Sequence, residues 1–212
     1  MADRDVHVPI GGLRFPGTLG SSPGARGLVL FAHGSGSSRL SPRNLFVARG
    51  LQEAGLSTLL FDLLTEHEDR VYETRFDIAL LSERMIGAAE WALAEPSTSA
   101  LHLGFFGAST GAAAALRAAA KLGPDVFAVV SRGGRPDLTG SVITDVRAPT
   151  LLIVGARDFD VLELNRQAYA QLRAEKELAV VQGATHLFEE PGALEEVTRL
   201  AADWFVRYLG AP

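Results

Sequence analysis

The residues Leu103-Gly-Phe-Phe-Gly-Ala-Ser109-Thr-Gly-Ala-Ala-Ala-Ala-Leu116 carry an apolar run into the pattern Gly-x-Ser-x-Gly and then into an alanine-rich segment. This is the order of strand, sharp turn and helix that a nucleophile elbow requires. Small residues at positions 107, 108 and 111 allow a strand to turn tightly into a helix. A serine at the apex of such a turn projects its hydroxyl at the carboxyl edge of a sheet. The stretch therefore predicts Ser109 as a catalytic nucleophile.

A second match to the pattern, Gly20-Ser-Ser-Pro-Gly24, lies in a loop without an apolar strand leading directly into it. The residue after a nucleophile must donate its backbone N–H to the oxyanion, and Pro23 has no N–H. Thr110 can donate beside Ser109. We therefore interpret Ser22 as a turn residue.

The bulk composition is that of an ordinary globular enzyme. The chain has 212 residues, of which 47% are hydrophobic and 21% charged, so we expect residues 1–212 to form one domain. A formal net charge of -5, without a Lys/Arg-rich run, argues against a nucleic-acid partner. A small-molecule substrate is the expectation.

The chain contains no cysteine, which excludes disulfides, thiolate catalysis and Cys-ligated zinc. We expect neither a metal nor a cofactor. The charged amino terminus lacks the apolar stretch of a signal peptide, and no segment is apolar over the length of a bilayer. These features predict a cytoplasmic protein without a membrane anchor; the oligomeric state is left open.

Apolar runs rich in Val, Leu, Ile and Phe alternate with segments of helical spacing. Such alternation predicts an α/β fold with a doubly wound, mostly parallel sheet and helices on both faces. Residues 6–19, with two glycines at the centre, fit an antiparallel hairpin at one edge. Residues 131–149 are too few for a large lid domain. The predicted buried strands are 28–32, 57–61, 101–106, 126–130, 150–154 and 178–181.

Two further apolar runs end in residues that would complete a catalytic set with Ser109. The run 150–154 leads to Asp158, and the run 178–181 leads to His186. Ligands bind beyond the carboxyl ends of the strands in open α/β sheets. The chain order Ser, Asp, His is that of the α/β-hydrolases. A neutral His186 would take the proton of Ser109, and Asp158 would hold the imidazole in the correct tautomer.

Other residues compete for these two roles. Asp160 and Glu163 lie further from the strand end, and Asp137 follows a different strand. Among the other histidines, His7 and His102 sit near strand starts, while His67 lies in a charged loop.

The segment Phe31-Ala-His-Gly-Ser-Gly-Ser-Ser38 ends the first central strand in a glycine-rich turn. Exposed backbone N–H groups of such a turn suit an oxyanion. We expect Ser35 to pair with Thr110 as the oxyanion hole, with Gly36 as the alternative donor. A Walker phosphate loop is a poor interpretation because no Gly-Lys-Ser/Thr follows.

The chain thus resembles the α/β-hydrolase superfamily, most closely its small dienelactone-hydrolase-like members without a cap domain. The resemblance covers nearly the whole chain. The phrases at 105–111, 131–137 and 184–192 resemble a bacterial subgroup sometimes joined to a phosphoribosyltransferase domain. The resemblance implies that the nucleophile, acid and base fall on Ser109, Asp158 and His186. Dienelactone hydrolases use a cysteine nucleophile, which this chain lacks.

These features predict a cofactor-independent serine hydrolase that cleaves carboxylic esters, with short acyl chains expected, through an acyl-enzyme on Ser109. The alternatives are a thioesterase or acyltransferase with the same triad, or a non-catalytic binding protein of the same fold. Arg132 and Arg135 are candidates for binding a substrate carboxylate bidentately. Alternatively, they pair with nearby acidic residues such as Asp137.

Overall fold

The computed structural model describes residues 2–210 of the chain. Its strands are β1 (Ala2–Ile10), β2 (Leu13–Ser21), β3 (Gly27–Ala32), β4 (Ser57–Phe61), β5 (His102–Ala108), β6 (Val126–Arg132), β7 (Thr150–Gly155) and β8 (Lys176–Val181). Its α-helices are α1 (Pro42–Glu53), α2 (Glu66–Asp69), α3 (Ile78–Ala94), α4 (Thr110–Leu122), α5 (Phe159–Gln171) and α6 (Ala193–Leu209). Short 3-10 segments span Glu73–Phe76, Gly123–Asp125 and Pro136–Asp145.

The eight strands form one sheet in the order β1-β2-β4-β3-β5-β6-β7-β8. The pairs β1–β2 and β2–β4 are antiparallel, and every other pair is parallel. The predicted doubly wound, mostly parallel sheet is therefore confirmed. β1 and β2 form the predicted edge hairpin, which extends further than residues 6–19 and turns at two glycines with positive φ, Gly11 and Gly12.

Helices cover both faces of this sheet, each over its own apolar core. α3, α4 and α5 contribute Met85, Leu116 and Ala168 to the core on one face. α1 and α6 contribute Leu51 and Phe205 to the core on the other. In α4, the four alanines 112–115 are fully buried, because side chains this small let the helix lie close to the sheet.

The strand order places a topological switch point between β3 and β5. From β3 the chain moves to β4 on one side, and from β4 it returns past β3 to β5. The connections after β3 and β5 consequently lead away from each other, which opens a crevice at their carboxyl ends. His33 to Ser35 follow β3 at this crevice, and Ser109 follows β5.

The segment between β6 and β7 contains only a 3-10 stretch, Pro136–Asp145, in agreement with the prediction that no large lid is inserted there. None of the helices within residues 2–210 combines the length and the apolar character that crossing a bilayer requires.

Candidate active site

Ser109 is the only residue between β5 and α4, and its backbone is bent sharply. Its φ and ψ are 51° and -121°. Within the described part of the chain, Phe188 is the only other residue besides glycines with positive φ. A non-glycine residue in such a conformation costs about 1–3 kcal/mol and persists only where its surroundings impose it. The turn therefore has the sharp strand-to-helix geometry that the sequence pattern predicts for an elbow at Ser109.

Contacts around the turn explain why the pattern requires glycine on both sides of the serine. A Cβ atom on Gly107 would lie 2.4 Å from the Cα of Ala112. One on Gly111 would lie 2.3 Å from the carbonyl oxygen of Ala32. Real Cβ atoms do not approach backbone this closely, so any side chain here would push α4 off β3 and β5.

The structure brings Asp158 and His186 into direct contact. The Nδ1 atom of His186 lies 2.6 Å from Oδ2 of Asp158. A carboxylate only accepts hydrogen bonds, so Nδ1 carries the proton and Nε2 is left as the acceptor. The Asp158 side chain is 15% exposed and that of His186 38% exposed, which leaves the imidazole accessible from the cavity.

Backbone contacts hold the loops that carry the acid and the base next to each other. The Arg157 N–H donates to the carbonyl of Ala184 at 2.9 Å, joining the turn before Asp158 to the loop before His186. Phe188, 1% exposed, anchors the far side of that loop in the core. The other candidate acids, Asp160, Glu163 and Asp137, are exposed.

Ser109 and His186 line the same cavity, which has a volume of about 250 Å³. This is slightly below the usual size range of ligand pockets. Wider surface grooves of about 400 and 700 Å³ lie at the opposite end of α4, around Lys121. They are lined by neither Ser109 nor His186, so the smaller cavity is the candidate site.

The turn after β3 lies directly against the elbow. A Cβ atom on Gly34 would be 3.1 Å from the Cβ of Ser109. The Thr110 N–H, at the first position of α4, has no acceptor among the described residues. The Ser35 N–H differs from expectation, because it donates to Oγ1 of Thr110 at 2.9 Å. The two predicted donors are thus neighbours, but one already has an acceptor.

His33 holds this turn in place through two hydrogen bonds of its ring. Its Nε2 atom accepts the Leu63 N–H at 3.0 Å, and its Nδ1 donates to the Gly34 carbonyl at 3.0 Å. Together the two bonds require the neutral ring protonated on Nδ1, because Nε2 of an imidazolium cannot accept a hydrogen bond. Burial lowers the pKa of His33, which also favours the neutral form. Sequence reasoning singled out this position but not its hydrogen bonds.

The two predicted substrate-binding arginines lie in different environments. Arg135 donates two hydrogen bonds to Asp137 at 2.8 and 2.7 Å, and this contact raises the pKa of Arg135. It is not among the residues that line the cavity. The guanidinium of Arg135 is thus paired with a carboxylate, which is the alternative interpretation that the sequence left open.

Arg132 lines the cavity and is 8% exposed. Its Nε and Nη1 atoms are buried without a hydrogen-bond partner within residues 2–210. Burial, together with the charge of Arg43, lowers the pKa of Arg132 to about 10, which leaves it cationic at neutral pH. An unpaired buried cation is costly, and an anionic group in the cavity would offset that cost.

The amino-terminal end of α1 also lines the cavity, which sequence reasoning missed. Arg43 pairs with Glu189 at 3.2 Å. Asn44 is 2% exposed, and its Oδ1 has no partner among the described residues. The start of this helix is marked in the sequence by Ser41-Pro42, an N-cap followed by proline. That signal was available, but only the fold shows where the helix points.

Comparisons with known proteins agree with this architecture. A solved structure of a dienelactone hydrolase from Anabaena variabilis is 52% identical, has a TM-score of 0.96 and is matched over 98% of both chains. The chain belongs to the dienelactone-hydrolase-like α/β-hydrolases. This membership supports the prediction of a hydrolase at that coarser level.

More distant structures share the fold of this dienelactone-hydrolase-like protein. Est1E from Butyrivibrio proteoclasticus is 15% identical with a TM-score of 0.80, over 96% of this chain and 98% of that one. The esterase domain of a Rhodothermus marinus protein is 20% identical with a TM-score of 0.80, over 99% and 100%. No family model matches the chain.

A curated Mycobacterium tuberculosis protein, provisionally named a phosphoribosyl transferase, is 54% identical over all 212 residues. The chain spans about half of that relative, 48% of its length.

Proposed function

We propose that this protein is a serine hydrolase of carboxylic esters that works through an acyl-enzyme on Ser109. The observation that carries the proposal is one cavity shared by a serine on a sharp elbow and a histidine held by a carboxylate. The provisional name of the longer relative belongs to a protein of about twice this length. The serine and histidine at one cavity favour hydrolysis over that activity.

In the proposed reaction, Oγ of Ser109 attacks the ester carbonyl carbon while Nε2 of His186 takes the hydroxyl proton. The tetrahedral intermediate collapses as the carbon–oxygen bond to the alcohol breaks, and His186 returns its proton to the leaving oxygen. A water molecule then attacks the acyl-enzyme by the same route, releasing the acid and restoring Ser109. Asp158 stabilises the imidazolium that forms in each half of the cycle.

The cavity supports a small acyl group with an acidic substituent. Its volume of about 250 Å³ fits short chains. Arg132 presents the unpaired buried charge described above. A charge-assisted hydrogen bond contributes about 1.5–3 kcal/mol. We therefore propose that Arg132 binds a carboxylate on the substrate, whereas Arg135 does not.

Covalent labelling tests the nucleophile. The protein is incubated with a fluorophosphonate, and its intact mass is measured for wild type, Ser109→Ala and Ser22→Ala. We expect one adduct on wild type and on Ser22→Ala, and none on Ser109→Ala. Ser22 is the matched control because its hydroxyl donates to the carbonyls of Gln52 and Leu56. Folded wild type without an adduct would refute the proposal and favour a non-catalytic protein.

Paired substrates test both the ester class and Arg132. We compare p-nitrophenyl butyrate with p-nitrophenyl hemisuccinate, which bears a carboxylate, and each with its thioester. In Arg132→Met, kcat/KM on the hemisuccinate should fall about 10- to 100-fold relative to the butyrate. Arg135→Met should leave that ratio within about twofold. Equal losses on both esters would eliminate the carboxylate-binding role, and a large preference for thioesters would indicate a thioesterase.

A further inference from the structure

The Thr110 hydroxyl lies between the two backbone groups expected to bind the oxyanion. Oγ1 of Thr110 is 2.9 Å from the backbone nitrogen of Ser35, a residue that lines the cavity. Thr110 itself follows Ser109 directly in the chain. A hydrogen-bond acceptor 2.9 Å from the Ser35 N–H lies at the distance at which the oxyanion itself would sit. The hydroxyl therefore borders the position where the oxyanion would form.

Of the polar hydrogens that Ser35 and Thr110 can donate here, only one makes a hydrogen bond within the described part of the chain. Ser35 has one backbone hydrogen, and it is given to Thr110. The Thr110 hydroxyl accepts this bond, and among the side-chain hydrogen bonds of residues 2–210 it is not the donor in any. The Thr110 N–H is equally unused. Among the described residues, Thr110 thus holds two unused donors beside the nucleophile, in addition to the unpaired guanidinium of Arg132.

We propose that the Thr110 hydroxyl is a direct oxyanion donor, polarised by the Ser35 N–H, and that it acts together with the Thr110 N–H. This inference rests on the acyl-enzyme reaction proposed above. A hydroxyl that accepts a hydrogen bond becomes a stronger donor. O–H donors to an oxyanion also make short, strong hydrogen bonds. Ser35 then contributes through Thr110 instead of touching the substrate.

The opposing possibility is that the hydroxyl blocks the Ser35 N–H and must rotate away before catalysis. Thr110 is 2% exposed. A β-branched side chain has few χ1 rotamers, and packing restricts them further. Rotation would also break the Ser35 hydrogen bond. Donation to the oxyanion needs no movement of heavy atoms, so the geometry favours it.

Substitution of Thr110 separates the two possibilities, with p-nitrophenyl butyrate as the substrate. Thr110→Val removes the hydroxyl and keeps the shape, and Thr110→Ser keeps the hydroxyl. We expect kcat of Thr110→Val to fall about 10- to 100-fold, since Ser35 can replace part of the lost donor. KM should change little, because the bond strengthens only in the transition state. Thr110→Ser should recover most of the lost kcat.

Thr139→Val is the matched control, because Thr139 is also fully buried but lies in the 3-10 segment away from the cavity. Thr110→Ala serves as a second hydroxyl-free variant if Thr110→Val does not fold, and its kcat should show the same loss. Melting temperatures verify that each variant is folded.

Two results would overturn the inference while leaving the proposed function standing. In the first, wild type forms the Ser109 adduct and kcat of Thr110→Val stays within about twofold of wild type. In the second, kcat rises in Thr110→Val, which would identify the hydroxyl as a block. Folded wild type without any Ser109 adduct would overturn the proposed function and this inference with it.

Discussion

Replacing His33 by phenylalanine should destabilise the fold and remove one source of its pH dependence. His33→Phe keeps a planar ring at a site that is 6% exposed. It removes the acceptor for the Leu63 N–H and the donor to the Gly34 carbonyl, both at 3.0 Å. Leu63 is fully buried, so no water replaces the lost acceptor.

The magnitude follows from the buried N–H group. A buried donor left without a partner costs about 1–3 kcal/mol. The more exposed Gly34 carbonyl can be hydrated and adds less. We therefore expect the free energy of unfolding to fall by about 1–3 kcal/mol at pH 8. For a domain of this size, each kcal/mol lowers the melting temperature by about 2–4 °C.

The pH dependence has a defined sign. Burial lowers the pKa of His33 below the ordinary value of about 6.5 that it regains on unfolding. Between those two pKa values the unfolded chain binds a proton that the folded protein does not. Stability is therefore complete above pH 6.5 and falls as the pH drops towards the folded-state pKa, by up to about 1.4 kcal/mol per pH unit. His33→Phe lacks this contribution, so its deficit relative to wild type should shrink in that range.

Urea unfolding followed by circular dichroism between pH 5 and 8 measures both effects. His7→Phe is the control, since His7 is exposed on the edge strand β1. The reasoning fails if His33→Phe matches wild-type stability at pH 8, or if its deficit stays constant down to pH 5.

Three further predictions concern single residues. Asp158→Asn should lower kcat on p-nitrophenyl butyrate about 10,000-fold in steady-state assays, because the amide favours the wrong imidazole tautomer; a loss below tenfold would assign the acid role elsewhere. Gly111→Ala should cost about 3 kcal/mol or more in urea unfolding, since its Cβ would clash with the carbonyl oxygens of Ala32 and His33 at 2.3 and 2.5 Å. Thr139→Val should raise stability by about 1 kcal/mol in thermal melts, because the Thr139 hydroxyl is buried without a partner in the described chain; a lower melting temperature would indicate a hidden partner.

The strands were predictable because their signals are local. The run 57–61 is β4 without change, and the predicted 126–130 differs from β6 only at its end. Ser109, Asp158 and His186 could be nominated for the same reason. A parallel sheet brings the carboxyl ends of its strands to one edge, so residues after different strands meet.

The burial of Arg132 beside the cavity was not predictable, because it depends on how far one strand extends. Sequence reasoning ended β6 at Val130 and left Arg132 and Arg135 in a loop. In the structure, β6 continues for two more residues and pairs Arg132 with Ala108, next to the nucleophile. That pairing buries Arg132 beside the cavity, whereas Arg135 lies beyond the strand and reaches Asp137. Two residues of strand thus separate an unpaired buried cation from an ordinary surface ion pair.

The contact between Ser35 and Thr110 could not be predicted for a different reason. It joins residues far apart in the sequence, and it depends on the orientation of the peptide group between Gly34 and Ser35. The Gly34 carbonyl and the Ser35 N–H belong to the same planar trans peptide and point in opposite directions. His33 binds the carbonyl and Thr110 binds the N–H, so the peptide is held at both ends. Because Leu63 in turn fixes the His33 ring, the direction of the Ser35 N–H is set by the packing after β4 as well as by the elbow. The orientation of this donor is therefore built into the folded core before any substrate arrives.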